Sequence, residues 1–146
     1  MDSQDDVRWM GLALQQAANV PNLPFGAVIV QDGEVIATGF NRAATDPTMH
    51  GEIDVIQRAA KHPNVNWSRC TLYTTAEPCP MCQGAILWAG ISRVVYGTSI
   101  RTLQRLGWRQ IDILSSEMVS RTPNAKCEIA GAVCESECDA MFNAAR

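Results

Sequence analysis

The sequence predicts an α/β sandwich, helices packed on a central sheet, and three observations predict it. The chain has 146 residues, one domain's worth at ~100–200 residues per domain. Hydrophobic residues make up 47% and charged residues 18%, which excludes a disordered chain and supports one core burying roughly 68–70% of the unfolded surface. Short apolar runs suited to strands alternate with amphipathic stretches suited to helices, the pattern of a sheet covered by helices. No internal repeat, low-complexity tract or Pro/Gly/Ser linker interrupts the chain, so residues 1–146 are expected to form a single domain.

The elements follow in order. Residues 5–20 place Val7, Met10, Gly11, Leu14 and Ala18 on one helical face, with Asp5 and Asp6 at the dipole's positive end. Pro21 and Pro24 stop that helix. The run Gly26-Ala27-Val28-Ile29-Val30 is apolar throughout, as in a strand buried on both faces. Asp32-Gly33 is a hairpin turn signal, and residues 35–39 return as the partner strand. Asp46-Pro47-Thr48 supplies turn and cap chemistry before a helix expected over 49–61, stopped by Pro63. A strand over 71–75, a helix over 80–89 with Pro80 in its first turn, and a strand over 93–97 come next. Farther on, the pattern predicts a helix over 100–106, a short strand over 127–129 and a last helix over 133–144.

Charge and cysteine usage bound the function. Twelve basic residues stand against fifteen acidic ones for a net of −3, and only Lys61 and Lys126 are lysines. Nucleic-acid binding rests on phosphate neutralisation by a basic surface, so the balance disfavours RNA or DNA as partner. No apolar run approaches the ~20 residues of a membrane span, and the start lacks the basic region of a signal peptide. A cytoplasmic protein with no membrane association is expected. Its six cysteines then read as thiols, metal ligands or core residues rather than disulfides.

Two short segments carry chemistry: His50-Gly51-Glu52 and Pro78-Cys79-Pro80-Met81-Cys82, each at a predicted helix start. Cys-x-x-Cys there lets two sulfurs converge on one ion, and the helix dipole favours their thiolates. By itself that motif also fits a redox pair or half of a structural zinc knuckle. A single histidine, His50, completes three protein ligands, and catalytic zinc sites hold three where structural ones hold four. The remaining position admits water, whose pKa falls from ~15.7 toward ~7 on zinc, on the order of 12 kcal/mol. Glu52, two residues past His50, is placed to hold that water and shuttle its proton.

The pair of segments, H-x-E followed by P-C-x-x-C, resembles the cytidine deaminase-like superfamily of zinc-dependent nucleobase and nucleoside deaminases. The likeness covers residues 24–97, about half the chain. Its features include Pro24-Phe25-Gly26-Ala27-Val28-Ile29-Val30 with Asp32-Gly33, and Asp46-Pro47-Thr48 before the histidine. Glu77-Pro78-Cys79-Pro80-Met81-Cys82 with Gly84-Ala85-Ile86 completes them. The resemblance implies a three-layer α/β/α sandwich on a five-stranded mixed sheet, assembled as a homodimer or larger homo-oligomer. It also implies one Zn2+ per chain on His50, Cys79 and Cys82, with Glu52 as the catalytic proton shuttle. Asn41 matches the asparagine that hydrogen-bonds the base, Gly51 lies beside the base in relatives, and Phe25 matches a pocket wall.

For the substrate, the spelling points two ways. Glu77-Pro78 and the stretch Ala85-Ile86-Leu87-Trp88-Ala89 resemble bacterial guanine deaminases and tRNA adenosine deaminases. His50-Gly51-Glu52-Ile53 resembles fungal cytosine deaminases, since purine-acting relatives carry alanine where Gly51 stands. Guanine deaminases bear an acidic pair after a phenylalanine where this chain reads Gly107-Trp108-Arg109-Gln110-Ile111-Asp112. The expected reaction is hydrolytic deamination of a guanine-like purine base or nucleoside with release of ammonia. The alternatives are a cytosine, other small pyrimidine or triazine substrate, a tRNA adenosine, and a zinc-stabilised binding module without catalysis. Trp88 is expected in the substrate pocket, and Trp108 offers a second stacking surface. Arg101, Arg105 and Arg109, spaced i, i+4, i+8, are expected to share a solvated helical face. Cys70, Cys127, Cys134 and Cys138 are expected as small buried hydrophobes, and His62 as a surface residue.

Overall fold

The computed structural model describes residues 3–146; Met1 and Asp2, part of the expected single-domain span, lie outside the described residues. The chain runs α1 (Ser3–Ala17), β1 (Gly26–Gln31), β2 (Glu34–Phe40), α2 (Gly51–Ala59), β3 (Cys70–Ala76), α3 (Pro80–Ala89), β4 (Arg93–Thr98), α4 (Ile100–Arg105), α5 (Ser115–Ser120), β5 (Glu128–Ala130) and α6 (Glu135–Ala144). Five strands form one mixed sheet in the order β2-β1-β3-β4-β5. β1 is antiparallel to both β2 and β3, whereas β3, β4 and β5 run parallel.

The β1–β2 hairpin closes on Asp32 and Gly33 at φ 52° and 76°, the two positive values a tight hairpin turn requires. Alternation along β1 then sorts its side chains between layers. Val28 and Val30 face Trp9, Met10 and Ala13 of α1, with Cys138 of α6 in the same cluster. Ala27 and Ile29 face Val55 and Ala59 of α2, with Ile86 of α3. The expected α/β/α sandwich is therefore present, with α1 and α6 on one face and α2 and α3 on the other.

Several boundaries differ from the sequence reading. α1 ends at Ala17 rather than residue 20, and α2 spans nine residues because His50 stands before it in extended conformation. α6 starts at Glu135, since Cys134 at φ 53° is left-handed. Cys134 is thus the N-cap of α6, half-buried against the same cluster in which Cys138 is fully buried. Gly97 in β4 permits this approach, because a Cβ there would collide with the Cys138 sulfur. α5 and a 3₁₀ turn at Trp67–Arg69 were not expected. Both are shorter than two α-helical turns, below the length at which periodicity is readable. No helix among the described residues is long and apolar enough to cross a membrane.

Candidate active site

Parallel strands β3 and β4 carry their following segments to one end of the sheet, where a crevice of an open α/β sheet forms. His50 and Cys79 are the N-cap residues of α2 and α3, both extended, with Pro80 opening α3. Two helix N-termini therefore converge, and their exposed N–H groups favour negative charge between them. Cys79 Sγ and Cys82 Sγ each lie 3.6 Å from His50 Nδ1, and the three ligand atoms lie within 4.8 Å of one another. A tetrahedral zinc with Zn–S ~2.3 Å and Zn–N ~2.0–2.1 Å sets its nitrogen and sulfur ligands about 3.6 Å apart. The donor set and its spacing fit that ion.

Among the described residues no fourth ligand joins this group. Cys70 Sγ faces Asn66 O at 3.3 Å and Gln31 Oε1 at 3.5 Å. His62 Nδ1 accepts from the Asn64 N–H at 3.2 Å. Electrostatics separate the two sulfurs. The hydrogen bond from Cys82, and then that with His50, draws the Cys79 thiol down to about 4. Cys82 moves well above its ordinary value, chiefly through that same contact with Cys79 and then through burial. Glu52, only 3% exposed in the first turn of α2, is raised to about 7, by burial first and by the Cys79 charge second. Contact with Cys79 raises His50 as well.

A cleft of about 200 Å³ opens over this group. His50, Glu52 and Cys79 line it together with Phe25, Asn41, Leu23, Ala43, Glu77, Trp108, Arg109 and Gln110. Phe25 is fixed from both sides of its backbone, where Thr75 Oγ1 donates to Pro24 O and accepts from the Gly26 N–H. Its ring packs against Trp108 and Phe142 at centroid distances of 5.5 and 4.9 Å. The Asn41 N–H donates to Phe25 O, and Asn41 Oδ1 accepts from the Ala43 N–H at 2.8 Å. The amide NH2 of Asn41 is thereby left for the cleft.

Trp88 is the departure from expectation. It is 93% exposed on the outer face of α3 and does not line the cleft. Its neighbours are Gly84, Leu87, Met118 and Thr122. α3 is apolar around most of its circumference, so sequence periodicity had no polar face with which to orient Trp88. Gly51 does not line the cleft either. A Cβ there would stand 2.7 Å from Phe25 O and 3.2 Å from Phe25 C, so backbone packing explains the glycine. Arg101, Arg105 and Arg109 do not share a helical face, because α4 ends at Arg105 and Gly107 turns the chain at φ 92°.

Two contributors went unassigned in the sequence. Glu77, buried, accepts from the Ile100 N–H and from both the N–H and Oγ–H of Ser115, tying β3 to α4 and α5. Asp54, two residues beyond Glu52, accepts from Phe40 N, Arg42 Nε and Arg58 Nε, and so clamps the residues on both sides of Asn41. The i, i+4 spacing of Asp54 and Arg58 was the available signal for the second.

Residues 3–98 match the family described as cytidine and deoxycytidylate deaminase zinc-binding region. The guanine deaminase of Bacillus subtilis is 51% identical over 76 residues, 50% of this chain and 49% of its own length. The probable cytosine deaminase of Schizosaccharomyces pombe is 38% identical over 109 residues, covering 71% and 67%. A solved structure of tRNA:A34 deaminases acting at the wobble position superposes with a TM-score of 0.73 at 31% identity, over 92% of this chain and 98% of that one. The chain spans about half the length of the guanine deaminase it matches.

Proposed function

The chain belongs to the cytidine and deoxycytidylate deaminase zinc-binding family, and from that premise we propose that it hydrolytically deaminates a small guanine-like purine base or nucleoside, releasing ammonia. The observation that supports this reading most is the buried Glu52 carboxyl at the floor of a small cleft, beside the His50–Cys79–Cys82 donor group. His50 Nδ1, Cys79 Sγ and Cys82 Sγ would hold a zinc ion, which when bound would supply the Lewis acidity that makes water nucleophilic near neutral pH. Glu52 moves the protons. Burial raises its carboxyl above the ordinary carboxylate value, which favours accepting a proton from water and returning it to the substrate. A ring nitrogen is protonated first and the departing amine second. Water supplies the oxygen that replaces the amine, and ammonia leaves. Asn41 orients the base through its amide NH2, and Phe25 and Trp108, packed edge to face on each other, give the cleft an aromatic wall for the ring.

The net charge of −3 supports a small molecule over a tRNA, since no basic tract offers phosphate neutralisation. All six cysteines are free thiols, in keeping with action in the reducing cytoplasm. Homo-oligomerisation through the exposed apolar face of α3 around Trp88 completes the proposal.

A paired substitution tests it. Glu52→Gln should retain about one zinc per chain by metal analysis while ammonia release from a panel of amino-heterocycles falls at least ~100-fold. Cys79→Ala should lose the metal and much of its thermal stability, because metal affinity and folding are coupled. A Glu52→Gln protein keeping more than a tenth of the original rate would exclude Glu52 as the proton shuttle.

A further inference from the structure

The hydrogen-bonding inventory of the cleft wall is unbalanced in a way that bears on the substrate. Beyond the metal group and Glu52, four side chains there carry charge or amide groups with capacity to be accounted for: Glu77, Asn41, Arg109 and Gln110. Glu77 is committed elsewhere. Its Oε1 accepts from the Ile100 N–H at 2.9 Å, and its Oε2 accepts from the N–H and Oγ–H of Ser115, both at 2.9 Å. Those are three of about four acceptor sites on a carboxylate. Asn41 has its oxygen engaged by the Ala43 N–H, so it donates. The Arg109 guanidinium has no ion-pair or hydrogen-bond partner among the described residues. The next acid along the chain, Asp112, is engaged by Gln104 Nε2 at 3.0 Å. Gln110 Nε2 donates to the Arg109 carbonyl at 2.9 Å and braces the loop behind it. Apart from Glu52, the wall therefore presents the Asn41 NH2 donor, the Gln110 carbonyl oxygen and, as its one cation, the Arg109 guanidinium.

Direction matters as much as inventory. Glu52 is buried at the floor, whereas Arg109 is exposed at the rim. A heterocycle that turns its amine toward Glu52 turns its far edge toward Arg109. At about 200 Å³ the cleft falls short of the ~300–1,000 Å³ of drug-sized sites and suits one fused ring. A guanidinium presents parallel N–H donors that match two adjacent acceptors, and on an oxopurine those acceptors are O6 and N7. We propose that Arg109 is a specificity-determining residue that takes the O6/N7 edge of a 2-amino-6-oxopurine, so that the amine removed is the one on C2. This rests on the deaminase reading above for its reaction, though not for the contact itself.

Binding separates the contact from the chemistry. In a Glu52→Gln background, which prevents turnover, calorimetry compares guanine with 7-deazaguanine, which lacks the N7 acceptor. With Arg109 present, guanine should bind about tenfold or more tightly, the scale of a lost bidentate contact. In Arg109→Ala that ratio should fall below about threefold, and in Arg109→Lys, a point charge without the fork, below about fivefold. A ratio that survives Arg109→Ala, or guanine failing to bind at all, overturns the proposal. A guanosine 5′-monophosphate arm covers the other source of paired acceptors: tighter binding of the nucleotide that vanishes in Arg109→Ala would assign the fork to phosphate and overturn the purine-edge contact. Ammonia release from guanine by the zinc-loaded protein with Glu52 and Arg109 intact is followed in parallel. Arg109-dependent binding without ammonia release would sink the deaminase reading and leave the contact standing.

Discussion

Gly51 sits between two residues proposed to do chemistry, yet its constraint comes from the opposite side of the backbone. An added Cβ would meet Phe25 O at 2.7 Å and Phe25 C at 3.2 Å. The Phe25 carbonyl is not free to retreat, because it accepts the Asn41 N–H at 2.9 Å and the flanking residues are held by Thr75 Oγ1. Gly51→Ala should therefore be destabilising by about 1–3 kcal/mol, as overpacking commonly is, lowering the melting temperature by roughly 2–12 °C for a chain of this size. Unchanged stability would mean the hairpin yields easily, and the pocket wall with it. The example shows what the sequence could reveal at this scale and what it could not. The His50–Cys79–Cys82 donor group was legible because it comes from two short motifs at helix starts, and the proposed role of Glu52 rests on the first of them. The reason for Gly51 was not, since its partner Phe25 lies 26 residues away in sequence. Likewise Glu77 could be noticed by its place before Pro78, but its three donors come from α4 and the start of α5.

At the level of elements, α1 is attached to the sheet by more than its apolar face. Asp6 accepts from Tyr73 Oη at 2.7 Å and forms a two-pronged pair with Arg93, both bonds 2.9 Å. Asp6 and Arg93 are buried or nearly so. The hydrogen bond from Arg93, more than any other influence, holds the Asp6 carboxyl below its ordinary value. The linkage follows directly. A carboxyl whose value is lower in the folded chain contributes stability above its unfolded value, ~3.9. That contribution is lost as pH falls from there through the folded value. Melting temperature should thus drop on acidification below about pH 4, and the drop should be shallower in Asp6→Asn. Arg93→Leu leaves Asp6 buried without its cation, a change on the order of 3–5 kcal/mol, or a melting temperature lower by about 6–20 °C. Scanning calorimetry across pH 3–7 on the three proteins checks both expectations. An identical acid limb in Asp6→Asn would contradict the assignment. The sequence revealed α1 as a helix by its apolar spacing, but this anchor joins residues 67 and 87 positions apart and lies beyond any periodicity.

For the whole molecule, the same helix that carries Cys79 and Cys82 inward carries Trp88 outward. Met81, Gly84, Ala85 and Trp88 fall at i, i+3, i+4 and i+7 on α3, and the Trp88 side lies beside a groove formed with Leu87, Met118 and Thr122. A two-fold axis through this face would seat each Trp88 against the partner's groove, the self-complementary arrangement of a symmetric dimer. Burying one tryptophan removes ~150–250 Å² from water, about 4–6 kcal/mol at ~25 cal/mol per Å², and symmetry doubles it. Association opposes this by an estimated 4–15 kcal/mol, so the two tryptophans alone balance the entropy and the surrounding contacts decide the affinity. Dimerisation should then be unusually sensitive to this one position. Even about 2 kcal/mol lost per copy amounts to roughly a thousandfold in dissociation constant. Sedimentation equilibrium at micromolar chain concentration should give twice the chain mass for the native sequence and the chain mass for Trp88→Glu. The substitution should leave zinc content and the far-ultraviolet spectrum unchanged, since an exposed side chain supports neither the core nor the metal group. A native protein that sediments as a monomer at 50 µM would exclude this face as a homodimer interface, as would a Trp88→Glu variant that still pairs.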